Sequence, residues 1–281
     1  MQWLTYNGEI GWLRRRARVL LLAGFALVAM SAMAAEDIRL ATTTSTENSG
    51  LLKAILPVFE AKYGGKVRVV SVGTGAALKL GENGDADVVL VHARALEDKF
   101  MAAGFGAVRK DVMYNDFVIV GPTRDPAGVR GSKDVTAAMK KISASGAKFV
   151  SRGDESGTHQ MEKEYWKSAG VPAQGAWYVS AGQGMGQVLT MAGQLEGYTL
   201  TDRATYAAYK DKTGLETLVE GDPKMFNPYG IIAVSPQKHP AVNNNGAVAL
   251  VNWMTAPEGQ QAIAAFRING VQMFFPGAGI R

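Results

Sequence analysis

The chain contains two similar segments, Tyr114-Asn115-Asp116-Phe117-Val118-Ile119-Val120 and Phe226-Asn227-Pro228-Tyr229-Gly230-Ile231-Ile232. In each, an asparagine precedes aromatic and β-branched residues, a composition typical of strands. They lie in the long apolar stretches 113–121 and 225–234, and a run of further strand and helix patterns separates them. We therefore predict that these two strands carry the chain into a second lobe and back, and that they form a hinge.

Strand and helix patterns also alternate outside the two crossing strands. Strands are predicted over 38–42, 66–72 and 87–91, and helices over 49–63, 76–80, 94–103 and 160–169. Such alternation with short loops predicts an α/β fold with mostly parallel strands. The predicted lobes are discontinuous, with lobe I in residues 36–117 plus 230–281 and lobe II in residues 118–229. Ligands of open α/β sheets bind beyond the carboxyl ends of strands, so two facing lobes form one cleft.

The first 35 residues have the composition of a secretory signal peptide. Basic residues (Arg14, Arg15, Arg16 and Arg18) precede an apolar run over 19–30, and Ala32-Met33-Ala34 has the small-x-small form of a cleavage site. The apolar run is shorter than the ~20 residues that span a bilayer. We therefore expect an exported, soluble protein that is cleaved near Ala34 or Ala35.

Composition excludes several classes of partner. The chain has 30 basic and 25 acidic residues, and four arginines and one glutamate fall in residues 1–35, so the remainder carries a formal charge of about +2. That small excess gives no support for a nucleic-acid or membrane-surface partner. The chain has no cysteine and only three histidines, which are scattered in sequence, so we expect no disulfide and no metal site.

Three predicted strand-to-helix loops are rich in hydroxyl groups and glycine: residues 42–46, 73–75 and 152–158. An ionised oxyanion offers only acceptors, so its site needs O–H and N–H donors and an arginine. Arg152 supplies the guanidinium, and helix starts supply free backbone N–H groups. Each loop taken alone is more often an ordinary helix cap or turn. Their common position at strand ends favours an anion site.

The same loops offer little for catalysis. Ser156 and His159 lie on one helix start, but no Gly-x-Ser-x-Gly nucleophile elbow and no nucleotide P-loop occurs. Binding is therefore favoured over catalysis, with no catalytic residue assigned. An exported enzyme on the same lobed scaffold remains the alternative from another class.

Taken together, these segments resemble the periplasmic tungstate-binding proteins of ABC transporters, over essentially the whole chain after the signal peptide. The matching segments are Ala41-Thr42-Thr43-Thr44-Ser45-Thr46, Val72-Gly73-Thr74-Gly75-Ala76-Ala77-Leu78, Gly84-Asp85-Ala86-Asp87-Val88-Val89-Leu90-Val91-His92-Ala93, Tyr114 to Pro122, and Phe149-Val150-Ser151-Arg152-Gly153-Asp154 with the Ser-Gly-Thr-His that follows. The combination is specific, whereas each motif alone is weak.

The resemblance implies a two-lobed, type II-like periplasmic-binding-protein fold. It also implies a periplasmic location, tungstate or molybdate as ligand, no cofactor, and the permease of an ABC transporter as partner. We expect a monomer. The site residues matched by motif are Thr43, Thr44, Ser45, Thr74, Arg152 and Thr158. The donor argument adds Ser156.

Phosphate is the alternative ligand, because phosphate-binding proteins of this broad fold also carry an Arg-x-Asp-x-Ser-Gly-Thr loop. Phosphate keeps a proton near neutral pH and benefits from a carboxylate acceptor, whereas tungstate and molybdate are fully ionised. The position of Asp154 separates the two ligands. If Asp154 points away from the ligand and pairs with Arg152, tungstate is favoured, and if Asp154 faces the ligand, phosphate is favoured.

Overall fold

The computed structural model describes residues 35–278. The predicted signal peptide, up to Ala34, lies outside the described residues. The helices are α1 (Thr44–Asn48), α2 (Leu51–Tyr63), α3 (Thr74–Asn83), α4 (Arg94–Ala102), α5 (Val135–Ser145), α6 (Gly157–Ala169), α7 (Met185–Gln194), α8 (Arg203–Thr213), α9 (Asn244–Thr255) and α10 (Pro257–Ala265). The strands are β1 (Ile38–Thr43), β2 (Val67–Val72), β3 (Val88–Val91), β4 (Gly106–Pro122), β5 (Phe149–Ser151), β6 (Tyr178–Ser180), β7 (Thr199–Asp202), β8 (Leu215–Val219), β9 (Phe226–Val234), β10 (Arg267–Ile268), β11 (Val271–Gln272) and β12 (Phe275–Pro276).

Helix α2 shows how the apolar spacing builds an element. Its buried stripe consists of Leu51, Leu52, Ile55, Leu56 and Phe59. A proline inside a helix removes one backbone hydrogen bond, yet α2 continues through Pro57. The proline is exposed, so water can reach the carbonyl that its missing N–H leaves unpaired.

The main sheet has the order β12-β4-β9-β3-β1-β2, and β7 and β8 also pair with β4. Among the described strands, parallel pairing is confined to β1–β2, β1–β3 and β5–β6. The prediction of mostly parallel strands is therefore wrong. The returning strand β9 lies antiparallel between β3 and β4, which makes the pairs in the middle of the sheet antiparallel.

Strand β4 is longer than its apolar core, and its partners change along its length. Residues 106–116 pair with β9, with Asn115 opposite Asn227. From Phe117 onward β4 pairs with β7 and β8. Asn115 and its partner Asn227 in β9 therefore lie just before the point where β4 changes partner. The predicted lobe boundaries at 117/118 and 229/230 stay a prediction.

The buried apolar side chains form four clusters. One large cluster packs β1, β3 and β9 against α2 and α9, with a smaller cluster on the α3 side of the same strands. The other two clusters come from residues 117–225, and the larger of these surrounds Phe149 and Trp166. Within residues 35–278, no helix combines the length and apolar character that a membrane crossing requires.

Candidate functional site

The three predicted loops connect β1 to α1, β2 to α3, and β5 to α6. Apart from half-buried Thr44, the predicted site side chains are fully or almost fully buried: Thr43, Ser45, Thr74, Arg152, Ser156 and Thr158. Hydrogen bonds between the loops, described below, bring the three loops together. The structure thus places these residues in one polar centre.

Arg152 joins the third loop to the first. Its Nη2 donates to Thr44 Oγ1 at 3.0 Å and to the Asp154 carboxylate. The side chain is 1% exposed, and its Nε and Nη1 have no hydrogen-bond partner among the described residues. Buried cationic donors without an acceptor are costly, so this guanidinium suits an anionic ligand.

Asp154 has both carboxylate oxygens in use. One accepts from Arg152 and the other accepts from the backbone N–H of Ser156 at 3.2 Å. The aspartate therefore orients the guanidinium and holds the loop. A Cβ added to Gly73 would lie 3.1 Å from the Asp154 carbonyl oxygen, a tight contact, so the second loop passes close to the third at this glycine.

Helix α6 begins inside the site. The Ser156 hydroxyl accepts from the backbone N–H of His159 at 3.2 Å and caps the helix. The backbone N–H of Gly157 donates to Thr74 Oγ1 at 2.9 Å, which joins the second and third loops. Thr158 Oγ1 is buried and has no partner among the described residues. The free Thr158 hydroxyl thus stands with Arg152 as an available donor.

The first loop has its hydroxyls largely engaged with one another. Thr43 Oγ1 accepts from the Thr46 backbone N–H at 3.3 Å and so caps α1. It also lies 3.1 Å from Ser45 Oγ. Ser45 Oγ lies 3.2 Å from His92 Nε2. The loop is therefore a preformed network whose geometry extends to His92.

Other loops complete the surroundings. The backbone N–H of Gln183 donates to the Arg152 carbonyl oxygen at 3.2 Å. A Cβ added to Gly184, at the start of α7, would lie 3.4 Å from Thr44 Oγ1. The β6–α7 loop thus packs beside the third loop and Thr44.

Two functional candidates are absent from the sequence-based set, Asp202 and Thr205. Asp202 is fully buried, and its carboxylate caps α8 by accepting from the Thr205 backbone N–H at 2.9 Å. Thr205 Oγ1 donates to the Ser45 carbonyl oxygen at 2.9 Å. The only sequence signal is an aspartate between a strand and a helix, which is the pattern of an ordinary N-cap.

Burial shifts the pKa of two side chains around the site, His92 and Asp202. Burial lowers the pKa of His92 to about 4, so this histidine is neutral at pH 7. Burial raises the pKa of Asp202. Residues 35–278 contain no group of three or more histidine, aspartate or glutamate side chains placed to hold a metal ion.

Ser156 and His159 are not arranged as nucleophile and base. The serine oxygen accepts from the His159 backbone, and His159 Nδ1 accepts from the Glu155 backbone N–H at 3.1 Å. No bond joins the two side chains in the described structure. The arrangement has the character of a helix cap.

Glu162 is a buried residue of α6 whose carboxylate is hydrogen-bonded to two aromatic side chains. Its carboxylate accepts from Trp166 Nε1 at 3.1 Å and from the Tyr178 hydroxyl at 2.8 Å. Burial raises its pKa to about 7, above the ordinary value of 4.5. The folded protein therefore takes up a proton at Glu162 more readily than the unfolded chain does.

We expect Glu162→Gln to remove a pH dependence of stability. Relative to this variant, the wild type should lose about 3 kcal/mol of unfolding free energy as pH rises from ~4.5 to ~7, because the buried group becomes charged. Below ~4.5 the proton is bound in both states and the loss is absent. Urea unfolding of both proteins across this range measures the difference, and parallel stability curves would contradict the prediction.

The chain matches the family model of the PBP superfamily domain over residues 30–258. A protein of Peptoclostridium acidaminophilum named tungstate-binding protein TupA is 47% identical over 246 residues, 86% of this chain and 86% of that protein. A crystal structure described as the tungstate ABC transporter from Geobacter sulfurreducens is 58% identical, with a TM-score of 0.77 over 82% of this chain and 99% of the other. The structure of the tungstate-binding protein TupA from Desulfovibrio alaskensis G20 is 49% identical, with a TM-score of 0.74 over 87% and 100%. These matches confirm the predicted two-lobed α/β fold.

Proposed function

Because the chain belongs to the PBP superfamily and to the family of the TupA tungstate-binding proteins, we propose that it captures tungstate and delivers it to an ABC-transporter permease. Molybdate, of the same charge and shape, is the closest competing ligand. The protein acts in the periplasm as a monomer after removal of residues 1–35. It binds its ligand and catalyses no reaction.

The observation that carries the proposal is the buried Arg152 guanidinium with Nε and Nη1 unpartnered among the described residues. Beside it in the third loop, the Thr158 hydroxyl is buried and equally unpartnered. Guanidinium and hydroxyl donors suit the acceptor oxygens of an oxyanion. The seven residues proposed to form the walls of the site are Thr43, Thr44, Ser45, Thr74, Arg152, Ser156 and Thr158.

Asp154 favours tungstate over phosphate. Its two carboxylate oxygens accept from Arg152 and from the Ser156 backbone N–H, so the carboxylate is oriented by the guanidinium and by its own loop. A protonated phosphate benefits from a carboxylate that faces it, whereas a fully ionised ion has no proton to donate and is suited by an aspartate that pairs with the arginine. This is the arrangement that the sequence argument associates with tungstate.

Transport requires that the ligand be enclosed and later released. We propose that lobe I (36–117 plus 230–281) and lobe II (118–229) close about β4 and β9, with the anion between them. The change of β4 partner after Asp116 supports a hinge there, because the two ends of one strand belong to different pairings. The closed form presents one surface to the permease.

Calorimetry with tungstate, molybdate, sulfate and phosphate tests the proposal on residues 36–281. We expect tight binding of tungstate and weaker or no binding of phosphate. Tight phosphate binding without tungstate binding contradicts the ligand assignment. Turnover of an ester substrate without oxyanion binding contradicts the assignment to a binding protein.

Thr158→Val is expected to weaken tungstate binding about tenfold, because one hydroxyl donor is lost at nearly constant volume. The melting temperature of the free protein should not fall, since Thr158 Oγ1 has no hydrogen-bond partner among the described residues. Thr158→Ser, which keeps the donor, is the matched control and should bind nearly as the wild type. Equal affinities for the valine variant and the wild type exclude Thr158 as a donor.

A further inference from the structure

A buried chain of hydrogen bonds begins at Asp202. Its Oδ1 accepts from the Thr205 backbone N–H at 2.9 Å and from Asn115 Nδ2 at 3.4 Å. A carboxyl oxygen without a proton can only accept, and Oδ1 stays an acceptor even when a proton resides on Oδ2. The amide of Asn115 must therefore turn its NH₂ group toward Asp202.

This orientation passes to the next asparagine. Asn115 then presents its carbonyl oxygen to Asn227, whose Nδ2 donates to it at 2.7 Å and to the Tyr229 hydroxyl at 3.2 Å. The opposite orientation of Asn227 would set two amide oxygens against each other at that distance. The carbonyl oxygen of Asn227 is consequently turned toward His92.

His92 receives a fixed tautomer from this chain. Its Nδ1 lies 2.9 Å from Asn227 Oδ1, an acceptor, so the proton of the neutral ring resides on Nδ1. The ring is held by stacking on Tyr229, with centroids 4.7 Å apart. Nε2 then carries no proton and must accept, and Ser45 Oγ lies 3.2 Å from it. Ser45 Oγ also lies 3.1 Å from Thr43 Oγ1, a hydroxyl that can donate or accept, whereas Nε2 can only accept. Both neighbours are satisfied when the single hydrogen of the Ser45 hydroxyl is directed at His92 and Thr43 donates to the Ser45 oxygen.

We propose that Ser45 is a positioning residue whose hydroxyl donates its hydrogen bond to His92 and not to the oxyanion. The hydrogen-bond chain from His92 through Asn227 and Asn115 to Asp202 fixes this direction. The inference rests on the proposed function and deepens it. The chain holds the first loop in place through the Ser45–His92 hydrogen bond, and the other donors of the site bind the oxyanion.

The chain also links the two proposed lobes. Ser45, His92 and Asn115 belong to lobe I, whereas Asp202 and Asn227 belong to lobe II. Three contacts cross between these proposed lobes: Asp202 with Asn115, Asn227 with His92, and Thr205 Oγ1 with the Ser45 carbonyl oxygen. Members of the chain are at most 4% exposed, so water competes little for these bonds.

The tautomer of His92 gives a direct test on the wild-type protein. Long-range ¹H–¹⁵N spectra of labelled protein distinguish protonated from unprotonated ring nitrogens, and loss of one set of signals in His92→Gln assigns the ring among three histidines. We expect Nδ1 protonated and Nε2 unprotonated. A proton on Nε2 overturns the proposal, because Ser45 would then be free to donate elsewhere.

A double-mutant cycle tests the consequence for binding. Ser45→Ala and Asn227→Ala should each weaken tungstate binding about tenfold, and the double variant should bind scarcely more weakly than either, since both break one chain. Asn252→Ala, at an exposed asparagine, is the matched control and should bind as the wild type. Additive losses overturn the proposal, because they assign Ser45 a contact of its own with the anion.

The two failures are distinguishable. If the wild type does not bind tungstate, the proposed function fails, while the His92 spectrum still reports on the chain without any ligand. If the wild type binds and the losses are additive, or Nε2 is protonated, the role of Ser45 is refuted and the proposed function stands.

Discussion

Arg152→Ala is expected to weaken tungstate binding by roughly 100- to 1000-fold, or about 3–4 kcal/mol. The side chain is 1% exposed and supplies a buried positive charge with two donor nitrogens that have no partner among the described residues. The substitution also leaves Asp154 without its ion-pair partner near the anion, which adds repulsion to the lost attraction. Calorimetry on the purified variant measures the effect.

Two controls separate charge from geometry. Arg152→Lys keeps the charge and loses the planar fork, so its affinity should lie between those of the wild type and the alanine variant. Arg94→Ala removes an exposed arginine that pairs with Asp98, and should leave binding unchanged. An alanine variant at position 152 that binds tungstate like the wild type would falsify the proposed site.

The loops of the site follow from local sequence, because their chemistry is local. Hydroxyls and glycines at strand ends cap helices whatever the rest of the chain does, and Thr43 and Ser156 do cap α1 and α6. Each predicted loop therefore begins within a residue or two of its observed strand end. The interaction of Arg152 with Thr44 joins residues 108 positions apart, and no local pattern predicts it.

The errors in the fold have a related cause. The predicted strand began at Met113, where the apolar stretch begins, and so left out the polar residues Arg109, Lys110 and Asp111, which belong to β4. In the structure Arg109 is mostly buried and pairs with fully buried Glu97 at 2.7 Å, so the polar run continues the strand. A charged residue can be buried within a strand when its ion-pair partner comes from another element, and the local sequence does not show that partner.

Asp202 shows the same limit within the candidate site. Its bond to Asn115 depends on the pairing of β4 with β7, in which Phe117 lies opposite Asp202. That pairing joins strands about 85 residues apart, and the sequence contains no periodicity that specifies it. The directional chain to Ser45 follows only from the assembled sheet.

The largest effect on stability is expected at Trp166, in the helix whose first turn carries Thr158. Trp166 is 2% exposed, and its ring packs edge-on against Phe149 at 4.9 Å and against Trp177 at 5.1 Å. Trp166→Ala should lower the free energy of unfolding by about 3–5 kcal/mol, because a large cavity forms in the cluster around Phe149. For a chain of this size the melting temperature should fall by about 10 °C.

Two variants identify the origin of that loss. Trp166→Phe keeps a six-membered ring and loses the five-membered ring of the indole, including the N–H that donates to Glu162, so it should cost less than the alanine variant. Trp177→Ala removes a half-buried ring from the same cluster and should also cost less, because the Trp177 side chain already reaches solvent in the folded protein. Equal losses at positions 166 and 177 would contradict the argument from burial.

Saturating tungstate should raise the melting temperature of Trp166→Ala, because the ligand binds the folded form and the substitution leaves the anion donors in place.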